Sequence, residues 1–381
     1  MANNMRVLIY KVESELAPVG GPLGYCFNIK EELKRRGITD IDFLPDIPKD
    51  NLKSNSIKKY FSTFKKLVSG KQTNFDFTKY DAIHFHSVKD FYQNRIALKN
   101  YKGKILFTMH SPVPFHMESN ENIKKHHKFL GLFLNKHAFS YMDKYVFDHA
   151  DYIVLPCVEA EESYYFHWKA YKKIHERNKE KYRYIPTGIV GAKAKIDADE
   201  YRNSLGYSKD DFIVAYVGRH NEIKGYDRII NMAKKLNNEN IKFLVGGKEF
   251  PLKGPELSNW KEIGWTNDPY SLVNSANVFI LPNRETYFDI VMLETLSLGK
   301  NSLISNTGGN KVIISKNVEG IYSFDNDDEG AQIISDLYEK KISYLPNKDI
   351  VKLFKENYSI EIFVTNYLGL LNSVINNEEN K

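Results

Sequence analysis

The stretch FIVAYVGRHNEIKGYDRIINMAKKL, residues 212–236, holds the unit from which the fold is read. Phe212–Gly218 is a near-continuous apolar run, as in a parallel strand buried on both faces. A polar turn follows, and from Gly225 the apolar positions fall at 226, 229, 230, 233 and 236, the 3.6-residue period of a helix with one buried face. The pattern recurs outward in both directions. Towards the N-terminus the strand-like runs are Arg6–Val12, Ile41–Leu44, Ala82–His86, Lys104–His110, Tyr152–Pro156 and Tyr182–Pro186. Towards the C-terminus they are Ile241–Gly246, Asn277–Pro282, Ser302–Ser305 and Gly320–Phe324. Strands alternating with helices, twice over, predict an α/β protein of two Rossmann-like, doubly wound domains. The 381 residues suit two domains. The glycines and the alanine-lysine stretch near Thr187–Asp197 mark the boundary, giving 1–190, 191–358 and a terminal helix in 359–381.

Composition narrows the class. A hydrophobic fraction of 42% supports real cores, and 27% charged residues fit a globular chain. Two cysteines, Cys26 and Cys157, make no disulfide framework, which points to a reducing compartment. The opening MANNMRVLIYKV lacks the pattern of a signal peptide, and no run approaches the roughly 18–20 apolar residues of a membrane span. A cytoplasmic location is the expectation. The net charge of +6 permits anionic ligands, while no recognised module or basic-aromatic array points to nucleic acid.

In open α/β sheets ligands bind beyond the carboxyl ends of the strands, so the residues just after strands carry the functional reading. Arg219 leaves the strand that ends at Gly218, and Lys224 precedes the helix. Two cations beside a helix N-terminus suit a diphosphate, although two solvated basic residues in a loop would read the same way. After the strand ending at Pro282, a helix is predicted to begin near Thr286, with Glu294 eight residues on. A carboxylate there can accept two ribose hydroxyls, and the backbone N–H groups of Phe288–Val291 would face a phosphate or sugar. The plainer alternative is a core helix with one exposed Glu. Gly20, Gly21 and Gly24 lie where the first strand turns into a helix and allow close backbone approach, but they do not form G-x-G-x-x-G. His84, His86 and His110 sit at strand ends without carboxylates at metal-like spacing, which favours a polar lining over a metal site.

Together these motifs, in their order, resemble the family-four glycosyltransferases of the GT-B fold. The resemblance runs through Gly20–Gly21, Ala82–Ser87, Thr108–His110, DYIVLP (151–156), YIPTGIV (184–190), VGRHNEIKG (217–225), TYFDIVMLE (286–294) and NTGGNKVI (306–313). It implies two domains facing each other across a cleft, the first holding the acceptor and the second a nucleotide-sugar donor, commonly a UDP-sugar. It also implies a terminal helix that crosses back to the first domain. Arg219 and Lys224 would neutralise the diphosphate in place of a metal, Glu294 would hold the ribose, and Gly20, Gly21 and Gly218 would pass close to the donor. His110 would sit beside the donor sugar. The implied reaction is retaining transfer, without a metal or other cofactor, of a hexosyl- or N-acetylhexosaminyl-type sugar to a glycan or lipid-linked glycan, in polysaccharide biosynthesis.

The chain departs from the family at one place. Where the family has a glutamate eight residues before Glu294, this sequence has Thr286; Glu285 lies one residue early, and Tyr287 and Asp289 flank Phe288 where glycines are usual. Thr286 suits a helix cap. Glu285, Thr286, Phe288, Asp289 and Ile290 are also donor-binding candidates, and in an altered sugar pocket Asp289 or Glu285 would touch the sugar hydroxyls. The departure keeps open a non-catalytic subunit that binds acceptor and supports a partner glycosyltransferase. A further alternative concerns Lys53–Lys71, which holds six lysines and no acid, with its apolar residues on one helical arc. That is the pattern of a helix lying on an anionic membrane, which would place the protein on the inner face of the plasma membrane, or of a surface helix with a solvated lysine face. Lys124–Lys128 and Lys169–Lys181 are further basic stretches in the same domain.

Overall fold

The computed structural model describes residues 5–11, 16, 21–44, 76–119, 135–236 and 238–376. Gly20, the 53–71 segment and Lys124–Lys128 lie outside them. The chain divides into two compact units. Unit 1 comprises residues 1–156, 163–185 and 364–381; unit 2 comprises 157–162 and 186–363.

Unit 1 is built on a six-stranded sheet of β1 (Val7–Tyr10), β2 (Ile41–Leu44), β3 (Ala82–Phe85), β4 (Lys104–Thr108), β5 (Tyr152–Leu155) and β6 (Tyr182–Tyr184), in the order β2-β1-β3-β4-β5-β6. Every pairing is parallel. The helices are α1 (Gly21–Arg35), α2 (Val88–Gln93), α3 (Asn135–His149), α4 (Glu162–His167) and α5 (Tyr171–Asn178). β1 is buried at every position, which is why it reads as an unbroken apolar run; β3 is buried throughout as well, with His84 as its one polar residue.

Unit 2 repeats the architecture with β7 (Phe212–Val217), β8 (Ile241–Gly246), β9 (Trp260–Gly264), β10 (Val278–Leu281), β11 (Ser302–Ser305) and β12 (Ile321–Phe324). The order is β12-β11-β10-β7-β8-β9, again parallel throughout. Its helices are α6 (Ala198–Ser204), α7 (Tyr226–Leu236), α8 (Pro269–Asn274), α9 (Ile290–Ser297), α10 (Asn310–Ile314), α11 (Asp327–Glu339) and α12 (Lys348–Asn357). Tyr226, Ile229, Met232 and Ala233 of α7 pack into a core with Val214, Tyr216, Phe243, Val245 and Ile280. The α/β class with two Rossmann-like domains, read from the sequence, is the observed one. The strand missing from the sequence reading is β9. Its residues WKEIG are all only half-buried, and it pairs on one side only, so it lacks the apolar signature.

The last helix, α13 (Ile360–Ile375), carries Val364 onward into unit 1. There the Tyr367 hydroxyl lies 2.8 Å from His84 Nδ1, while Thr108 Oγ1 lies 2.8 Å from His84 Nε2. Both ring nitrogens of this fully buried histidine are thus satisfied. His84 is a core residue and not the polar lining that its place at a strand end suggested. Tyr367→Phe removes one of its two partners. A stability loss of about 1–3 kcal/mol in urea unfolding is expected; a loss below about 0.3 kcal/mol would contradict this role.

Candidate functional site

A doubly wound sheet opens a crevice where neighbouring strands send their connections to opposite sides. In unit 2 that switch point lies between β7 and β10, which pair directly. The two loops leaving their carboxyl ends, 218–225 and 282–289, carry most of the residues singled out in the sequence.

The first loop is tightly pinned. The Tyr216 hydroxyl donates to the Arg219 carbonyl at 2.8 Å, and the Lys224 N–H donates to Asn221 Oδ1 at 2.9 Å. Gly218 N–H reaches Gly246 O at 3.0 Å. Arg219 is exposed, whereas Lys224 is partly buried. Gly225 adopts φ +67°, and a Cβ there would stand 1.9 Å from Pro282 O. Only glycine lets the two loops approach this closely at this backbone angle.

The second loop differs from expectation. Its helix, α9, begins at Ile290, and the residue at the N-cap is Asp289. Thr286 is therefore no cap. It is 2% exposed, and its Oγ1 has no hydrogen-bond partner among the described residues. Both Thr and Asp suit an N-cap chemically, and spacing alone does not say which one the chain buries. Thr286 O also packs where Gly308 comes closest: a Cβ on Gly308, at φ +45°, would lie 2.0 Å from it. Glu285 is half-buried. Phe288 turns inward, its ring centroid 6.0 Å from that of Tyr358. Asp289 caps nothing with its side chain. Its carboxylate instead meets Lys224 Nζ at 2.7 and 2.9 Å and accepts from Asn283 Nδ2.

Glu294 stands on the second turn of α9, and the Tyr270 hydroxyl donates to its Oε1 at 2.8 Å. Burial pushes the Glu294 carboxyl above its ordinary range, and the Tyr270 bond works in the opposite direction. Asn283 and Tyr270 were not singled out from the sequence. Asn283 follows the end of β10, a position with a strong prior for function. Tyr270 has no sequence signal: it lies 24 residues from the carboxylate it binds. A cavity of about 620 Å³ opens beside the second loop, lined by Asn283 and Arg284 together with Arg228, Lys235 and Asp327. Its main charges are paired within the unit, Arg228 with Asp327, Lys235 with Asp328 and Arg284 with Asp227.

In unit 1, Gly21 is the first residue of α1. His110 follows β4 and stacks at 4.9 Å edge-on to Tyr25. Its Nε2 lies 2.9 Å from His86 Nδ1. Burial holds His110 down at about 3 and His86 well below its ordinary value, so both rings are neutral and one must donate to the other. His86 Nε2 is buried without a partner among the described residues. A buried orphan N–H is costlier than an orphan lone pair, so the proton belongs on His86 Nδ1, donating to His110 Nε2. His110 then carries its own proton on Nδ1. No group of three or more His, Cys, Asp or Glu residues arranged to hold a metal occurs among the described residues. None of their helices is long and apolar enough to cross a membrane.

Residues 197–350 match the family model of the glycosyl transferases group 1. An uncharacterised glycosyltransferase of Methanocaldococcus jannaschii is 27% identical over 141 residues, which are 32% of this chain and 35% of that protein. The putative glycosyltransferase EpsF of Bacillus subtilis is 26% identical over 147 residues, 35% of this chain and 38% of that one. The chain thus spans little more than a third of the length of these two curated relatives. Among solved structures, sucrose-phosphate synthase of Thermosynechococcus elongatus superposes with a TM-score of 0.68 at 16% identity, covering 98% of this chain and 100% of the other. HepE of Anabaena in complex with UDP-glucose superposes at 0.64 and 14% identity, covering 97% and 100%. The chain therefore has the two-domain GT-B architecture of these solved proteins, and its residues 197–350 match the glycosyl transferases group 1.

Proposed function

We propose that the chain is a retaining glycosyltransferase that binds a UDP-sugar in unit 2 and transfers a hexosyl- or N-acetylhexosaminyl-type sugar to a glycan or lipid-linked glycan held by unit 1. The observation that carries this reading is the convergence of two cation-bearing and carboxylate-bearing loops at the β7/β10 switch point. Arg219, exposed at the strand end, and Lys224, at the start of α7, offer the two positive charges a diphosphate leaving group needs. They do so without a metal ion. Glu294, partly buried, accepts from the Tyr270 hydroxyl through Oε1, and in this reading its other oxygen takes the ribose hydroxyls. The HepE structure contains UDP-glucose on the same architecture, which supports a UDP-linked donor. In retaining transfer the departing diphosphate takes part in accepting the acceptor's proton, so positioning and charge stabilisation are the protein's contribution.

The test is nucleotide release. The purified chain, incubated with UDP-sugars in EDTA, should liberate UDP slowly on its own and faster with acceptor; no UDP release from any UDP-sugar would count against the assignment. Glu294→Ala should raise the donor KM about 10- to 100-fold, the worth of charge-assisted bonds, with a smaller change in kcat. An unchanged donor KM would remove Glu294 from the ribose site. One observation favours the non-catalytic alternative: Lys224 is already neutralised by Asp289. If the chain binds UDP but never turns a donor over, that alternative is the better reading.

A further inference from the structure

We propose that Asp289 is an internal competitor for the donor diphosphate, holding Lys224 at the switch point until a nucleoside diphosphate takes the ammonium from it. This rests on the reading of unit 2 as the donor-binding unit.

The geometry is that of an anion already in place. Both Asp289 oxygens are within 2.9 Å of Lys224 Nζ, and Asn283 Nδ2 donates a third hydrogen bond. An aspartate at an N-cap ordinarily bonds the free N–H groups of the first helical turn. Asp289 occupies that position on the eight-residue helix α9 and forgoes those bonds. Its charge lies where the helix end and the lysine would together receive a phosphate. The pair is also exchangeable: the side chains of Lys224 and Asp289 retain 25% and 17% of their exposure, so the ammonium can change partners without the loops unfolding. A diphosphate brings more charge than the single carboxylate and can also engage Arg219, which Asp289 does not. The same loop holds two further groups suited to a ligand. Asn283 Oδ1 and Thr286 Oγ1, on residues 0% and 2% exposed, have no partner among the described residues. Donor binding therefore sets Asp289 free, and its repulsion disfavours ligands that carry too little charge to displace it.

The experiment is titration calorimetry of UDP into wild type, Asp289→Asn and Asp289→Glu, each in EDTA and in MgCl2. Asp289→Asn keeps the size and removes the charge, and is expected to bind UDP about 10- to 100-fold tighter than wild type, the factor of one charge-assisted bond. Asp289→Glu keeps the charge and should stay within about threefold of wild type. Should Asp289→Asn fail to fold, judged by its melting curve, Asp289→Ser replaces it with the same expectation. Equal or weaker UDP binding by the neutral variant overturns the proposal and makes Asp289 a donor ligand. Wild-type binding that requires MgCl2, with the requirement lost in Asp289→Asn, also overturns it and makes Asp289 a metal ligand. If wild type and variants alike bind neither UDP nor GDP nor ADP, the donor-binding reading itself falls, and the proposal with it.

Discussion

Lys224→Ala is expected to lower kcat/KM for the donor by about 100- to 1000-fold while the melting temperature stays within a few degrees of wild type. Two effects combine. The substitution removes one of the two positive charges offered to the leaving diphosphate, a loss on the scale of removing a donor to developing charge in a transition state. It also strips Asp289 of the partner that engages both its oxygens, leaving a carboxylate to face the incoming phosphates. The Asp289 side chain keeps 17% of its exposure, so water can solvate the carboxylate left behind and the fold is little affected. The double variant Lys224→Ala/Asp289→Asn separates the two contributions and should recover about tenfold of the loss. A single variant with wild-type kcat/KM would remove Lys224 from the diphosphate site. Arg219→Ala, on an exposed side chain, should lower turnover too, with no fold penalty.

Gly225→Ala is the second large effect, and it acts on the fold. The residue adopts φ +67°, which costs a residue with a side chain about 1–2 kcal/mol. The added Cβ would also lie 1.9 Å from Pro282 O, a backbone atom that cannot swing aside. A total of about 3–5 kcal/mol follows, or a fall of roughly 10 °C in the melting temperature of unit 2. Donor binding should fall with it, since Lys224 and the loop that bears Asp289 lie on either side of this contact. Gly369→Ala on α13 is the control: its Cβ would meet nothing within 4 Å among the described residues, and a helix interior favours alanine. It should leave the melting temperature unchanged or slightly raised. A Gly225→Ala variant as stable as the control would contradict the close approach of the two loops.

The legible and illegible parts of the sequence divide along physical lines. β7, β8 and β10 lie inside a sheet covered on both faces, so nearly all their side chains are apolar and a single chain shows them plainly. α7 has one buried face and was equally plain. β9 lies at the sheet edge with half-exposed side chains and gave no signal. The start of α9 is ambiguous in the sequence because Thr286 and Asp289 each have cap chemistry, and burial decides between them. The ion pair at the switch point, Lys224 and Asp289, joins residues 65 positions apart. Nothing local joins them. The strand order does, by placing β7 beside β10 so that the loops that follow end at one point. The order was not readable from the sequence, although the residues to be brought together were.

The central claim is that unit 2 takes a nucleoside diphosphate at Arg219 and Lys224. Titration calorimetry of UDP into the intact chain in EDTA tests it most directly. One UDP bound per chain, with affinity lost in Lys224→Ala and weakened in Arg219→Ala while both variants melt as wild type, is the predicted result. UDP binding of unchanged affinity in both variants, or no binding at millimolar UDP, would contradict it.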